Sequence, residues 1–392
     1  MAKPRIMFDH DGRHPLVYMY EPPMCREEFE AAVDEVAGTP VESVNLMLGD
    51  IGSLLYDSEA GSLWGRDIDR WPSHIWGRAN RNFRRLIDTG DDPLLVACNR
   101  AHEKGMSLYA QLLAQQGARE RSLRVWEDDD FAKDAFLYDV QPLEIGASGT
   151  VDRDWRGYRC LDYMHDEVRS NTLAVIEEVL QGYPVDGLEL EFCYTPCYFR
   201  PDQVEAGRGV MTDWIGSVHE AVKRSGSDRE LAVQVPLNDE AGLSIGLDVT
   251  EWIRRGIVDA VIAQPSAVAD PMADFRPLVE SSKGTATRVL AALKAGGVGV
   301  NMHAADYVFL MDPWWNPAAE SQAIDRAHRI GRRGAVFVYR VVTIGTVEQR
   351  VRALQREKQE TFEELIGKLD DRSDLAHHFE SLRDLVALRE DG

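Results

Sequence analysis

Short apolar runs that alternate with helical patterns along residues 1–280 constrain this chain more than any other feature. LVYMYEP (16–22), VNLML (44–48), MSLYAQLLA (106–114), VDGLELEFCY (185–194), LAVQVPL (231–237) and VDAVIAQP (258–265) read as strands. Between them, EEFEAAVDEVA, DPLLVACNRAHEKG, DEVRSNTLAVIEEVLQGY, MTDWIGSVHEAVKRSG and DVTEWIRRG carry apolar residues at helical spacing. In the third of these, Val168, Leu173, Val175, Ile176, Val179 and Leu180 supply the apolar face. Repeated strand–helix alternation predicts an α/β fold built on a parallel sheet. Closure into a TIM-type (β/α) barrel is the preferred reading, because a barrel collects carboxylates and aromatics on the loops at one face. A full barrel needs eight strands. Six are legible before residue 280, so the barrel is expected to be incomplete and to lack its last strands. The stretch from Asp50 to Asp91, with Trp64, Trp71 and Trp76, reads as a long excursion over a strand end.

Charge divides the chain. Residues 281–392 hold 16 basic and 16 acidic residues, so the whole net charge of −22 lies in residues 1–280. An acidic surface repels nucleic acid, and the asymmetry marks a domain boundary near 280. No apolar run approaches the roughly 20 residues of a membrane span. The start, MAKPRIMFDHDGRHP, has no apolar signal region. The five cysteines (Cys25, Cys98, Cys160, Cys193 and Cys197) are scattered and odd in number, which suits reduced thiols in a cytoplasm. Cys193 and Cys197 form C-x-x-x-C, but no second pair or clustered histidines complete a zinc set, so two structural thiols and no metal are expected. His10, His14, His74, His102 and His165 are isolated and read as ordinary hydrogen-bonded histidines. NDEAG (238–242) after an apolar strand has the letters of an acidic metal box, but Pro236 interrupts the strand and no phosphate loop accompanies it.

The most chemical strand is Asp186-Gly-Leu-Glu-Leu-Glu-Phe. Period two puts Glu189 and Glu191 on one face and Leu188, Leu190 and Phe192 on the other. Carboxylates facing a barrel interior are costly unless paired or functional. Glycoside hydrolysis needs two of them, one acid and one nucleophile or base. Glu191, nearer the C-terminal end of the strand, is the candidate acid; Glu189, Asp162, Asp239 and Glu240 are candidate partners. A buried ion pair, or a substrate-binding carboxylate without catalysis, would look the same in sequence.

HDGRHPLVY, DDPLLVACNRAHEKGMSLYA, DEVRSNTLAVIEEVLQGYPVDGLELEF and LDVTEWIRRGIVDAVIAQP, taken as an ordered set, resemble the glycoside-hydrolase-like barrel family of bacterial proteins over roughly residues 5–275. The resemblance implies a TIM-type barrel and a carbohydrate ligand. Where the family pattern has a polar site segment after the third strand, this chain has QLLAQQGARERSLRVWEDDD.

The last 110 residues carry a different text. YVFLMDP (307–313) and VFVYRVV (336–342) read as buried strands. Pro317 opens and Gly331 closes a helix between them. Gln322, Arg326 and Arg329 fall on one face of it, beside an apolar stripe of Ala319, Ala323, Ala327 and Ile330. A second helix from Thr346 to about Leu369 carries Val347, Val351, Leu354, Phe362, Leu365 and Leu369. Guanidinium groups suit developing phosphoryl charge. The glycines of KAGGVGVN (Gly296, Gly297 and Gly299) let backbone approach a phosphate chain.

This region resembles the second RecA-like lobe of the Snf-type helicase-related ATPases over about residues 288–368. KAGGVGVNMHAAD matches the family's fifth motif, which contacts the DNA backbone, and QAIDRAHRIG matches its sixth. DPWWNP fits the family as well; Arg332 stands where a glutamine is usual. The match makes Arg326 and Arg329 arginine fingers, with Gln322 and Asp325 beside them in the nucleotide cleft. No G-x-x-x-x-G-K-[ST] phosphate loop is present, and Lys283-Gly284-Thr285 has the letters in the wrong order. Arginine fingers act on a nucleotide that another lobe binds. The expectation is a composite: a sugar-hydrolase-like barrel (1–280) joined near 276–288 to a partial ATPase lobe (281–392). No cofactor binds on its own, and ATP with Mg binds only when a first lobe is supplied in trans. Carbohydrate is the expected ligand of the barrel, DNA and the missing lobe the partners of the tail, and no membrane is involved. A chimera without independent function is the third reading, since the junction DFRPLVESSKGTATRV is no Pro/Gly-rich linker.

Overall fold

The computed structural model describes residues 3–65, 71, 74–115, 141–265 and 274–292, and the strands 307–310 and 337–340. It divides into two compact units, Met1–Leu293 and Lys294–Gly392. The first is organised by a seven-stranded sheet in simple sequential order: β1 (Met7–His10), β2 (Ser43–Met47), β3 (Ser107–Leu113), β4 (Gly187–Glu191), β5 (Glu230–Pro236), β6 (Ala260–Gln264) and β7 (Arg288–Ala291). Every neighbouring pair is parallel. This is the α/β fold of an incomplete TIM-type barrel. In the second unit, β8 (Tyr307–Leu310) and β9 (Phe337–Arg340) pair in parallel with each other, consistent with part of a RecA-like lobe.

Strand alternation separates two surfaces. Val44, Leu46, Leu108, Ala110, Leu112, Leu188, Leu190, Leu231, Val233, Val235, Val261 and Ala263 join the main core beneath the helices. Among these helices, Asp166–Gly182 buries Val168, Val175, Ile176, Val179 and Leu180, and Val204–Ser225 buries Met211, Trp214, Ile215, Val218 and Val222. The opposite face, set by the odd-numbered residues of β1 to β4 and the even-numbered ones of β5 to β7, is unusually polar. Register places Asp9, Asn45, Tyr109, Gly187 and Glu230 in one row across β1 to β5. Met47, Gln111, Glu189, Ala232, Ala260 and Arg288 make the next, from β2 to β7.

The sheet is curled, because side chains on this face reach over intervening strands. The Tyr109 hydroxyl donates to Glu230 Oε2 at 2.6 Å, passing over β4. Gly187 is what lets it pass: a Cβ there would lie 2.3 Å from the tyrosine ring. The two sheet ends meet at the same carboxylate. Arg288 of β7 binds Glu230 at 2.6 Å and donates to the Pro4 carbonyl just ahead of β1 at 2.5 Å, and Lys3 Nζ lies 2.9 Å from Glu230 Oε1.

Two strand readings change. LVYMYEP is not the first strand. Pro15–Met19 forms a π-helical turn, and β1 is the preceding MFDH. A short apolar run does not distinguish helix from strand by periodicity. Here Asp11 decides, since its Oδ1 accepts from the N–H groups of Arg13 at 2.9 Å and His14 at 2.7 Å and turns the chain at the end of β1. The second change is β7. The sheet has a seventh strand from TRVLA, past the point where strands stop being legible. The 280/281 boundary read from charge falls inside the helix Arg276–Ser282 that precedes it. The excursion after β2 contains the helix His74–Asp88. It is anchored by Glu178, which accepts from Tyr56, Ser58, Glu59 and Ala60 at 2.6 to 3.0 Å. No helix among the described residues is long and apolar enough to cross a membrane.

Candidate functional site

β4 carries the two carboxylates onto the polar face, as its period requires. Glu189 is fully buried. It accepts from Gln111 Nε2 at 3.0 Å and from Asn45 Nδ2, and Asn45 also donates to Asp9 at 3.0 Å. Burial, then the charge of Asp9 and that of Glu191, push the Glu189 carboxyl well above its usual range, against the pull of the two amide donors. The carboxyl is thus clamped by two amides in a site that disfavours its charge. One turn of the pleat higher, Glu191 is also buried, but it sits where the strand ends. Its Oε1 accepts from Cys193 N at 2.5 Å and its Oε2 from Tyr194 N at 2.8 Å. The backbone of its own turn therefore holds the carboxylate in one orientation.

The loops that follow the strands converge at this same C-terminal end. Arg13, after β1, stacks its guanidinium 5.7 Å from the Trp64 ring centroid. Its Nε and Nη2 are buried and have no hydrogen-bond partner among the described residues. Burial lowers its pKa, while Asp11, Tyr194 and Asp50 act on it in the opposite direction. Trp64 in turn packs on Trp71, Trp76 and Phe83. After β3, the buried Gln115 amide donates to the carbonyls of Leu161 at 3.0 Å and Cys197 at 3.1 Å, gathering two further loops to the same end.

The other predicted residues are spread around this mouth. Asp162 is buried, and its Oδ1 accepts from Met164 N at 2.9 Å, a turn-forming use of the carboxylate. Asp239 accepts from Thr250 at 3.1 Å, and Glu240 is exposed on the first turn of the short helix Asp239–Ser244, which Asn238 caps. Gly296, Gly297, Gly299, Gln322, Asp325, Arg326 and Arg329 lie outside the described residues. Asn45, Gln111, Asp9 and Arg13 were not singled out in sequence. A signal was present for the amides, since Asn45 and Gln111 are polar residues inside otherwise apolar strands, on the face of Glu189. Of the predicted histidines, His10 is buried, which lowers it to about 4, and His102 pairs with Asp186 at 2.8 Å.

The helicase conserved C-terminal domain matches residues 269–331. The chain is 50% identical over 97 residues to the DNA repair protein RAD5B of Arabidopsis thaliana and 57% identical over 72 residues to an uncharacterised ATP-dependent helicase of Mycoplasma pneumoniae. The C-terminal part is helicase-like. The aligned regions cover 25% and 18% of this chain, and the chain spans 7% of the length of each of these relatives. Among solved structures, the chain is 11% identical to a cycloisomaltooligosaccharide glucanotransferase of Paenibacillus sp., with a TM-score of 0.43 over 74% of this chain and 38% of that one. An Anoxybacillus alpha-amylase is 12% identical, with a TM-score of 0.41 over 90% and 77%.

The helicase-like match begins before the second compact unit does. Arg276–Ser282 and β7 lie within it, yet β7 is hydrogen-bonded to β6 in register Ala260–Arg288 to Ala263–Ala291. The barrel sheet thus takes its seventh strand from helicase-like sequence. The strands at 307–310 and 337–340 pair with each other.

Proposed function

We propose that residues 1–280, with β7 added to their sheet, form a carbohydrate-recognising barrel centred on Glu191, and that residues 281–392 belong by sequence to the arginine-finger half of a Snf-type ATPase that works only with a first lobe supplied by another chain. The observation that carries the barrel reading is the fixed carboxylate at the C-terminal end of β4. It stands above Glu189, buried and clamped by Asn45 and Gln111, with the Arg13–Trp64 pair among the loops at the same end. Carboxylates, amides and an aromatic face suit a ligand rich in hydroxyls. In this reading Glu189 positions the β4 end, Glu191 meets the sugar, and Asp162, Asp239 and Glu240 are the partner candidates for hydrolysis. Glycan-array binding and turnover of aryl glycosides by the full chain and by Glu191→Gln test it. Binding is expected to drop at least tenfold in the variant, and any hydrolysis by roughly 10²- to 10⁴-fold. Absence of binding to every glycan, or full retention of binding by Glu191→Gln, overturns it.

The helicase-like match to residues 269–331 favours the second half of the proposal. Its ligands are then ATP with Mg, held chiefly by the added lobe, and DNA backbone at the KAGGVGVN loop. Mixed with a separately produced first lobe, the chain is expected to support DNA-stimulated ATP turnover that Arg326→Ala or Arg329→Ala reduces by about 10³-fold or more. Turnover indifferent to both substitutions sinks this half and leaves the barrel reading untouched.

A further inference from the structure

We infer that Cys160 and Cys197 form a redox-responsive dithiol, converted by a peroxide to a disulfide that staples the loop before the helix Asp166–Gly182 to the loop after β4. C-x-x-x-C spacing points to Cys193 as the companion of Cys197. The fold chooses Cys160 instead. Cys160 and Cys197 share a small buried cluster with Ile145, and their sulfurs hydrogen-bond each other. The two chain segments run side by side: Tyr163 N donates to Tyr198 O at 2.9 Å, and the Gln115 amide holds the carbonyls of Leu161 and Cys197 together. Gly157 closes the site, since a Cβ there would lie 2.9 Å from the Cys197 Cβ. The pair is therefore pre-positioned on two loops at the C-terminal end of the sheet.

The two thiols are unequal. The Cys160 hydrogen bond and the nearby Arg156 guanidinium bring Cys197 down to about 7, while the bond to Cys197 and burial push Cys160 up. Cys197 is thus the attacking thiolate and Cys160 the resolving thiol. Cys197 retains 6% accessibility and Cys160 none, so the oxidant must be small. Burial drives Cys98 up, which keeps it inert.

With hydrogen peroxide as oxidant, the Cys197 thiolate attacks one peroxide oxygen. An S–O bond forms, the O–O bond breaks, and hydroxide leaves as water after taking a proton. The Cys160 sulfur then attacks the Cys197 sulfur; the S–S bond forms, the S–O bond breaks, and the departing hydroxide carries off the Cys160 proton as water. Two thiols lose two electrons and one peroxide becomes two waters.

The test is peptide mapping of the full, folded chain after brief treatment with stoichiometric hydrogen peroxide, with thiols counted by alkylation. The expected result is loss of two of the five thiols and a cross-linked peptide joining Cys160 to Cys197. The thermal midpoint should rise by a few degrees, reversed by dithiothreitol. Cys160→Ala should abolish the cross-link and leave Cys197 as a sulfenic or sulfinic acid, whereas Cys193→Ser should leave the cross-link intact. A link between Cys193 and Cys197, over-oxidation of Cys197 in the unmodified chain without a cross-link, or no thiol loss until the chain is unfolded overturns the inference. Mapping the unmodified chain decides the matter even where a variant fails to fold.

Discussion

Glu189 and Glu191 are two residues apart, share a strand face, and have opposite surroundings. Glu189 has amides and a neighbouring carboxylate around it and no solvent. Glu191 has backbone N–H donors at a strand end. Because the folded-state pKa of Glu189 is raised from 4.5, its contribution to stability is fully present below about that pH and declines as pH rises towards the folded value. Glu189→Gln keeps an amide-sized group in the pocket and removes this titration. Its thermal midpoint relative to the native chain is therefore expected to improve as pH rises above about 4.5. A difference that does not change with pH would show that Glu189 is ionised in the fold. The sequence placed both carboxylates on one face, because a strand's period is a local property. It could not separate their states, because the groups that do so come from β1, β2 and β3.

At the scale of elements, β7 is the informative strand. It is four residues long and only partly buried, and sequence alone assigned it to a different protein family's text. Its place is secured by pairing with β6, by the Thr287 hydroxyl on the Val258 carbonyl at 2.8 Å, and by Arg288, which joins β5 to the residues ahead of β1. Glu230 is nearly inaccessible, so removing its closest cation leaves a buried charge poorly compensated. Arg288→Ala is expected to cost about 2 kcal/mol in urea denaturation of the full chain, discounted from a fully buried pair because Arg288 is partly exposed. Arg288→Lys should recover part of that loss. A cost near zero would mean that the sheet ends are held by Lys3 and the Tyr109 hydroxyl alone. The misread first strand belongs to this scale too. LVYM is apolar enough for either element, and the Asp11 turn that assigns it to a helical segment is visible only once β1 is in place.

For the whole molecule, one sheet draws on two kinds of sequence. The acidic residues 1–280 supply six strands, and helicase-like sequence supplies the seventh. The proposal for the tail makes a further prediction at this scale. This 392-residue chain by itself should show no ATP turnover above background, with or without DNA, in a coupled phosphate-release assay. Turnover that depends on Arg326 in the isolated chain would require a phosphate-binding loop that the sequence does not contain.

The α/β class, five of the seven barrel-sheet strands and the shared face of Glu189 and Glu191 were determined by sequence alone, because hydrophobic period and turn chemistry act over a few residues. So was the helicase-like character of the C-terminal part, carried by short runs of sequence. Only the tertiary structure decided that β7 completes the sheet, that Asn45 and Gln111 clamp Glu189, and that Cys160 and Cys197 share a buried cluster. Each of these depends on contacts between residues 28 to 144 positions apart, and no periodicity carries information across such a distance. The curl of a parallel sheet does.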